Sequence, residues 1–214
     1  MAVAYTKVTP ALRLYRGVLL FATPFILLRL WWRGRREPDY RRRIGERFGF
    51  VQLSDGRSTI WFHAVSAGEV IAAAPLIRSI ADHYPQHQVL VSTMTPTGAE
   101  QVEALLGDVV LHRYAPYDIN FAVARYWRNV RPKLLVLMET ELWPNLIHQA
   151  ATEAVPTCLI NGRLSERSAR GYRRLAILSK PMLAQLTHIS CQYLAHAERF
   201  RRLGVDQQCL SVAG

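Results

Sequence analysis

The sequence predicts an α/β fold, a parallel sheet with helices on both faces, and three observations carry that expectation. Short runs rich in Val, Ile, Leu and aromatic residues recur from Thr59 onward, each separated from the next by a longer stretch with helical spacing. The runs are apolar throughout rather than alternating, as in strands covered on both faces. Almost every run is followed by a polar turn bearing Gly or Pro, which gathers those turns at one edge of the sheet. Strands are expected over 60–65, 89–93, 109–113, 134–138, 157–160, 188–191 and 209–212. Helices are expected over 70–82, 97–106, 120–130, 142–153, 165–185 and 195–203, with Pro75 an awkward member of the first.

The N-terminal third reads differently. With 214 residues, half of them hydrophobic, the chain suits one large domain or a domain with an appendage. Residues 11–32 are mostly apolar, but the charge-free core covers only 17–28, shorter than the roughly 20 residues a spanning helix prefers. Arg13, Arg16 and Arg29 can snorkel, and Trp31 and Trp32 suit a membrane interface. A cleaved signal peptide disagrees with the arginines that come next, where a small-residue cleavage site belongs. A single-pass anchor, an in-plane helix and a buried helix of a larger core all remain open.

Net charge is +11, and residues 29–47 form a basic block. Such a block meets nucleic acid or anionic lipid, and its place beside the apolar segment favours lipid, with no nucleic-acid partner. The positive-inside rule puts the rest of the chain on the cytoplasmic side. The organisation expected is a membrane-associating helix and basic segment over 1–47, a linker over 48–58 and the sheet domain over 59–214. The three cysteines, Cys158, Cys191 and Cys209, lack metal-ligand spacing and read as free thiols in a reducing compartment. The histidines form no cluster either, so no metal is expected.

Chemistry is expected at the turn edge. Ser66-Ala-Gly-Glu69 links the first strand to its helix, where exposed amides and ligands meet in open sheets. Ser66 with Glu69 is also a capping box, which satisfies helix amides without any chemistry. His63 and Gly68 crowd the same tip, and Gly68 leaves room for a substrate. Glu139 and Glu141 end the strand over 134–138, beside Trp143; they either divide base and electrostatic roles with Glu69 or sit as acids at a helix start. Arg163 and Arg167 suit phosphate or carboxylate, with Ser165 a candidate cap. Thr95 and Thr97 bind an anion or cap their helix. Dinucleotide, P-loop and serine-hydrolase fingerprints are missing, so no cofactor is expected.

Five blocks in order resemble one family: His63-Ala-Val-Ser-Ala-Gly-Glu-Val70, Thr93-Met-Thr-Pro-Thr-Gly98, Tyr114-Ala-Pro-Tyr-Asp118, Met138-Glu-Thr-Glu-Leu-Trp-Pro-Asn145 and Asn161-Gly-Arg-Leu-Ser-Glu-Arg-Ser168. They are similar to the 3-deoxy-D-manno-octulosonic acid (Kdo) transferases. The resemblance implies the N-terminal, acceptor-side half of a GT-B glycosyltransferase, a Rossmann-like domain with a second such domain facing it. It implies inverting, metal-free transfer of Kdo from CMP-Kdo to the lipid A precursor at the cytoplasmic side of the inner membrane. By motif, Glu69 becomes the general base and Glu139 a transition-state helper, with His63, Ser66, Gly68 and Arg163 binding substrate. The family continues past Ser-Val-Ala-Gly with Asn-Leu-Lys and a CMP-Kdo-binding domain, whereas this sequence stops at Gly214. A truncated, inactive chain is the expectation, and a non-catalytic fragment that binds the lipid A precursor is the alternative.

Overall fold

The computed structural model describes residues 7–213 apart from 42, 54 and 55. Seven strands form one parallel sheet: β1 (Ser58–His63), β2 (His87–Thr93), β3 (Leu111–Tyr114), β4 (Pro132–Met138), β5 (Thr157–Gly162), β6 (His188–Cys191) and β7 (Leu210–Val212). Their order is β3-β2-β1-β4-β5-β6-β7. The helices are α1 (Pro10–Arg36), α2 (Ala67–His83), α3 (Pro96–Leu106), α4 (Asn120–Val130), α5 (Pro144–Thr152), α6 (Glu166–Arg174), α7 (Ala176–Leu183) and α8 (Leu194–Arg202). The chain builds outward from β1 to β3, then returns to lay β4 on the other side of β1. Right-handed crossovers therefore put α2 and α3 on one face and α4, α5, α7 and α8 on the other.

Successive side chains of β1 feed the two faces in turn. Ile60 and Phe62 join the core under α2 and α3, and Trp61 joins the core under α4 and α5. Trp61 stacks on Tyr126 with 4.8 Å between ring centroids and donates its indole N–H to Ser92 Oγ at 2.8 Å. Helix starts follow from local chemistry: Ser66, Thr95 and Ser165 each accept a backbone N–H three residues on, at Glu69, Gly98 and Ser168. The cap roles of Thr95 and Ser165 are thus occupied, and α2 runs unbroken through Pro75.

Three expectations change. The single helix over 165–185 is two, because the chain turns at Leu175 (φ −101°, ψ 33°) between α6 and α7. Ser179 Oγ donates to the Tyr172 carbonyl at 2.7 Å, satisfying a group the broken helix leaves free. α6 buries no residue, whereas Met182 and Leu183 of α7 reach the core. The stretch read as a linker over 48–58 is packed at its start: Gly49 takes φ +87° against α4, and Val51 is buried in the core. The basic block is also partly structural. Arg47 is buried, its guanidinium 4.3 Å from the Tyr114 ring centroid and donating to the Met94 carbonyl at 3.1 Å. Arg43 pairs with Glu46 at 2.8 Å, and Glu46 accepts the Tyr114 N–H at 2.7 Å.

α1 is long and apolar enough to cross a membrane by length and composition. It touches the sheet domain through Tyr15, whose hydroxyl donates to Asp118 at 2.9 Å, and Arg16, whose Nε donates to Asn145 Oδ1 at 2.7 Å.

Candidate active site

The strand order reverses between β1 and β4, the point at which open parallel sheets place their ligands, and the turns after those two strands form the site's two walls. Glu69 stands on one wall, in the first turn of α2, and is 6% exposed. One carboxylate oxygen accepts the Ser66 hydroxyl at 2.7 Å and the other accepts the Val65 N–H at 2.9 Å. Burial pushes its pKa up to about 7; the two hydrogen bonds oppose the rise, and the charges of Glu141 and Glu139 add to it. Ser66 and Glu69 do form the capping box. The capping geometry does not exhaust the carboxylate, because each oxygen keeps a lone pair for a further donor.

The other wall is the β4–α5 turn. Glu139 adopts φ +52°, a left-handed conformation that a side chain with a Cβ takes only at a cost of order 1–2 kcal/mol. Its N–H still closes the ladder to the Ile160 carbonyl at 2.9 Å, so the strand's last hydrogen bond holds the strained residue. Its carboxylate lies 3.6 Å from Arg163 Nε, after β5. Glu141 accepts the Trp143 indole N–H at 2.8 Å, and burial raises its pKa, with Glu139 contributing. Three carboxylates thus lie close enough at this edge to feel one another.

His63 lies beneath this wall, fully buried, its ring 4.4 Å from the Trp143 ring and Nδ1 3.0 Å from Ser92 Oγ. Burial drives its pKa down to about 3, so the imidazole is neutral. His63 therefore packs beneath Trp143, with its Nε2 buried and without a hydrogen-bond partner. Gly68 is exposed, and a Cβ there would meet nothing within 4 Å. Glu69, Ser66 and Gly68 share the α2 tip, Glu139 and Arg163 share the β4–β5 tips, and His63 ends β1 beneath them against Trp143. Among the described residues no group of three or more His, Cys, Asp or Glu is placed to hold a metal ion.

The sequence model of the 3-deoxy-D-manno-octulosonic-acid transferase (kdotransferase) family matches residues 42–214. The chain belongs to this family. It is 40% identical over 202 residues to the 3-deoxy-D-manno-octulosonic acid transferase of Haemophilus influenzae, covering 94% of this chain and 47% of that protein. A probable mitochondrial 3-deoxy-D-manno-octulosonic acid transferase of Arabidopsis thaliana is 36% identical, covering 83% of this chain and 38% of that one. The chain spans about half the length of the curated relatives it matches. A crystal structure of UDP-GlcNAc 2-epimerase from Neisseria meningitidis shares the fold, with a TM-score of 0.55 at 12% identity over 73% of this chain and 46% of that one. The Rossmann-like sheet with helices on both faces therefore stands.

Sequence reading missed a cluster that lies beside these carboxylates. Asp118, in the Tyr-Ala-Pro-Tyr-Asp turn, is half-buried and accepts the N–H groups of Asn145 at 3.0 Å and Leu146 at 2.9 Å, besides the Tyr15 hydroxyl. It caps α5 from another loop, immediately after the Glu139–Trp143 turn. Burial raises its pKa to about 7 against these donors. An acid closing a Pro-bearing turn was the available signal; its partners, 27 and 103 residues away, were not visible.

Proposed function

We propose that this chain is the acceptor-side half of a Kdo transferase, moving Kdo from CMP-Kdo to a hydroxyl of the lipid A precursor with inversion. Glu69 is the general base. As the sugar hydroxyl attacks the anomeric carbon of Kdo, its proton passes to the Glu69 carboxylate, while the bond from that carbon to the CMP phosphate oxygen breaks and CMP leaves with the electron pair. The observation that carries this reading is a buried carboxylate at this edge with a pKa near neutrality, where a base is both unprotonated and strong enough to work. Glu139, held by Arg163 and the strained turn, supports charge developing on the reacting sugar. Nothing in this scheme calls on a metal.

CMP-Kdo would be held by a second domain facing this edge, and α1 would bring the site to the cytoplasmic face of the inner membrane, where the lipid acceptor lies. The organisation proposed is a membrane-associating segment over 1–47, a connecting stretch over 48–58 and a sheet domain over 59–214, with the turn over 44–48 and Val51 packed onto that domain.

The test is a Kdo-transfer assay with CMP-Kdo and the lipid A precursor, comparing the chain alone with the chain joined to the C-terminal half of a family member. Transfer in the joined protein, lost in its Glu69→Gln variant, supports the reading. Near-normal turnover by Glu69→Gln would return Glu69 to capping only. Lipid binding with no transfer in either form would favour a non-catalytic binding role.

A further inference from the structure

α1 rests on the domain by one face, while most of its surface stays open. Leu12, Tyr15, Leu19, Ile26 and Leu30 recur at steps of three, four and seven, and all are buried or half-buried. Leu12 and Leu30, near the two ends, are each 6% exposed. Between them, Tyr15, Leu19 and Ile26 form one side of a groove of about 240 Å³ whose other side includes Met94, Tyr117, Leu142 and Trp143. α1 thus runs across the turns after β2, β3 and β4, along the edge that carries the candidate carboxylates. Tyr15 and Arg16 pin it there through Asp118 and Asn145.

The opposite face is a second stripe. Leu14, Val18, Phe21, Phe25, Leu28 and Trp32 succeed one another at steps of four and three, and every one is exposed, Phe21 to 79%. An apolar stripe from Leu14 to Trp32, about 28 Å of helix, exceeds what a soluble surface ordinarily leaves open. Exposed Arg13, Arg29 and Arg35 flank it, and Arg35 lies over the Trp31 ring at 4.1 Å. Apolar side chains beside cations, with tryptophans at one end, match the headgroup and acyl boundary of an anionic bilayer.

We propose that α1 lies in the plane of an anionic membrane, inserting only its Leu14–Trp32 face, and does not span it. A spanning α1 would carry the loops after β2, β3 and β4 into hydrocarbon or break its contacts with Asp118 and Asn145. In plane, both contacts are kept and the site rests at the bilayer surface. This rests on the membrane association proposed above and decides its geometry.

The experiment places a single new cysteine on either side of the helix, Lys7→Cys or Glu37→Cys, in the full chain. Membranes of expressing bacterial cells are prepared as sealed spheroplasts and as sealed inverted vesicles, and an impermeant thiol reagent is added, with the parent's own cysteines setting the background. An in-plane helix leaves both new sites unlabelled in spheroplasts and both labelled in inverted vesicles. One site labelled in each preparation means a spanning helix and overturns the proposal while sparing membrane association. Phe21→Glu with Phe25→Glu, both exposed and so harmless to folding, is expected to weaken vesicle binding at least about tenfold. A chain that stays out of the membrane fraction, and instead self-associates through these residues, would overturn both the geometry and the association.

Discussion

At the scale of single residues, Glu69 couples two observables. With a pKa of about 7, transfer governed by this base rises about tenfold per pH unit below 7 and levels off above it. Glu69→Gln is expected to remove that dependence and to lower kcat by about 10²–10⁴, measured in the joined protein. Gly68 provides the control. Its site is open and helical, so Gly68→Ala is expected to raise the unfolding free energy by about 0.5–1 kcal/mol in denaturant titration. A fall in transfer by that stabilised variant would show that substrate uses the space. The capping and base readings of Glu69 therefore describe one geometry, in which the cap holds the carboxylate in place.

Among the elements, the short helical turn over 44–48 shows how an apparent tether becomes part of the domain. Its C-cap, Gly49, has φ +87°, and a Cβ there would come within 2.5 Å of the Ala122 carbonyl oxygen. Gly49→Ala is expected to destabilise the chain by more than about 1 kcal/mol in thermal unfolding, and by more than Gly204→Ala, which meets the same left-handed backbone strain but no clash. At the α6–α7 corner, Ser179→Ala leaves the Tyr172 carbonyl without its side-chain donor and costs about 1 kcal/mol. The clamp on α5 belongs to this scale as well. Asp118 joins a helix start, a strand-end loop and α1, so Asp118→Ala is expected to speed hydrogen exchange at the Asn145 and Leu146 amides, read by NMR.

For the whole molecule, buried titratable groups pull stability in opposite directions with pH. Glu69 and Asp118 have folded pKa values near 7, above their ordinary carboxylate values, so the folded state holds the extra protons and stability falls as pH rises between about 4 and 7. His63 and His112, driven down to about 3 by burial, act the other way: stability falls as pH drops from about 6.5 toward 3. The two pairs offset one another across this window. Relative to the parent, Glu69→Gln is expected to gain unfolding free energy as pH rises from about 4.5 to 7, because the buried charge it removes is the one forming there. Parallel denaturant titrations at several pH values check the sign, and a difference that shrinks with rising pH would contradict the raised pKa.

Local composition alone was enough to set the α/β class, the parallel sheet and the edge at which Glu69, Glu139 and Arg163 gather. Strands covered on both faces must be apolar along their length, and turns that end them must be polar, so the chain writes that pattern directly. Boundaries were less legible where a tertiary contact set them, as at Leu175, where α6 stays outside and α7 turns in toward the core. Three placements came from the folded arrangement and from nothing local: His63 is buried under Trp143, Arg47 is a core cation on Tyr114, and Asp118 ties α1 to α5. Each of these depends on partners tens of residues away, and burial changes what the same side chain does. A histidine, an arginine or an aspartate reads as a surface group until the fold removes its water.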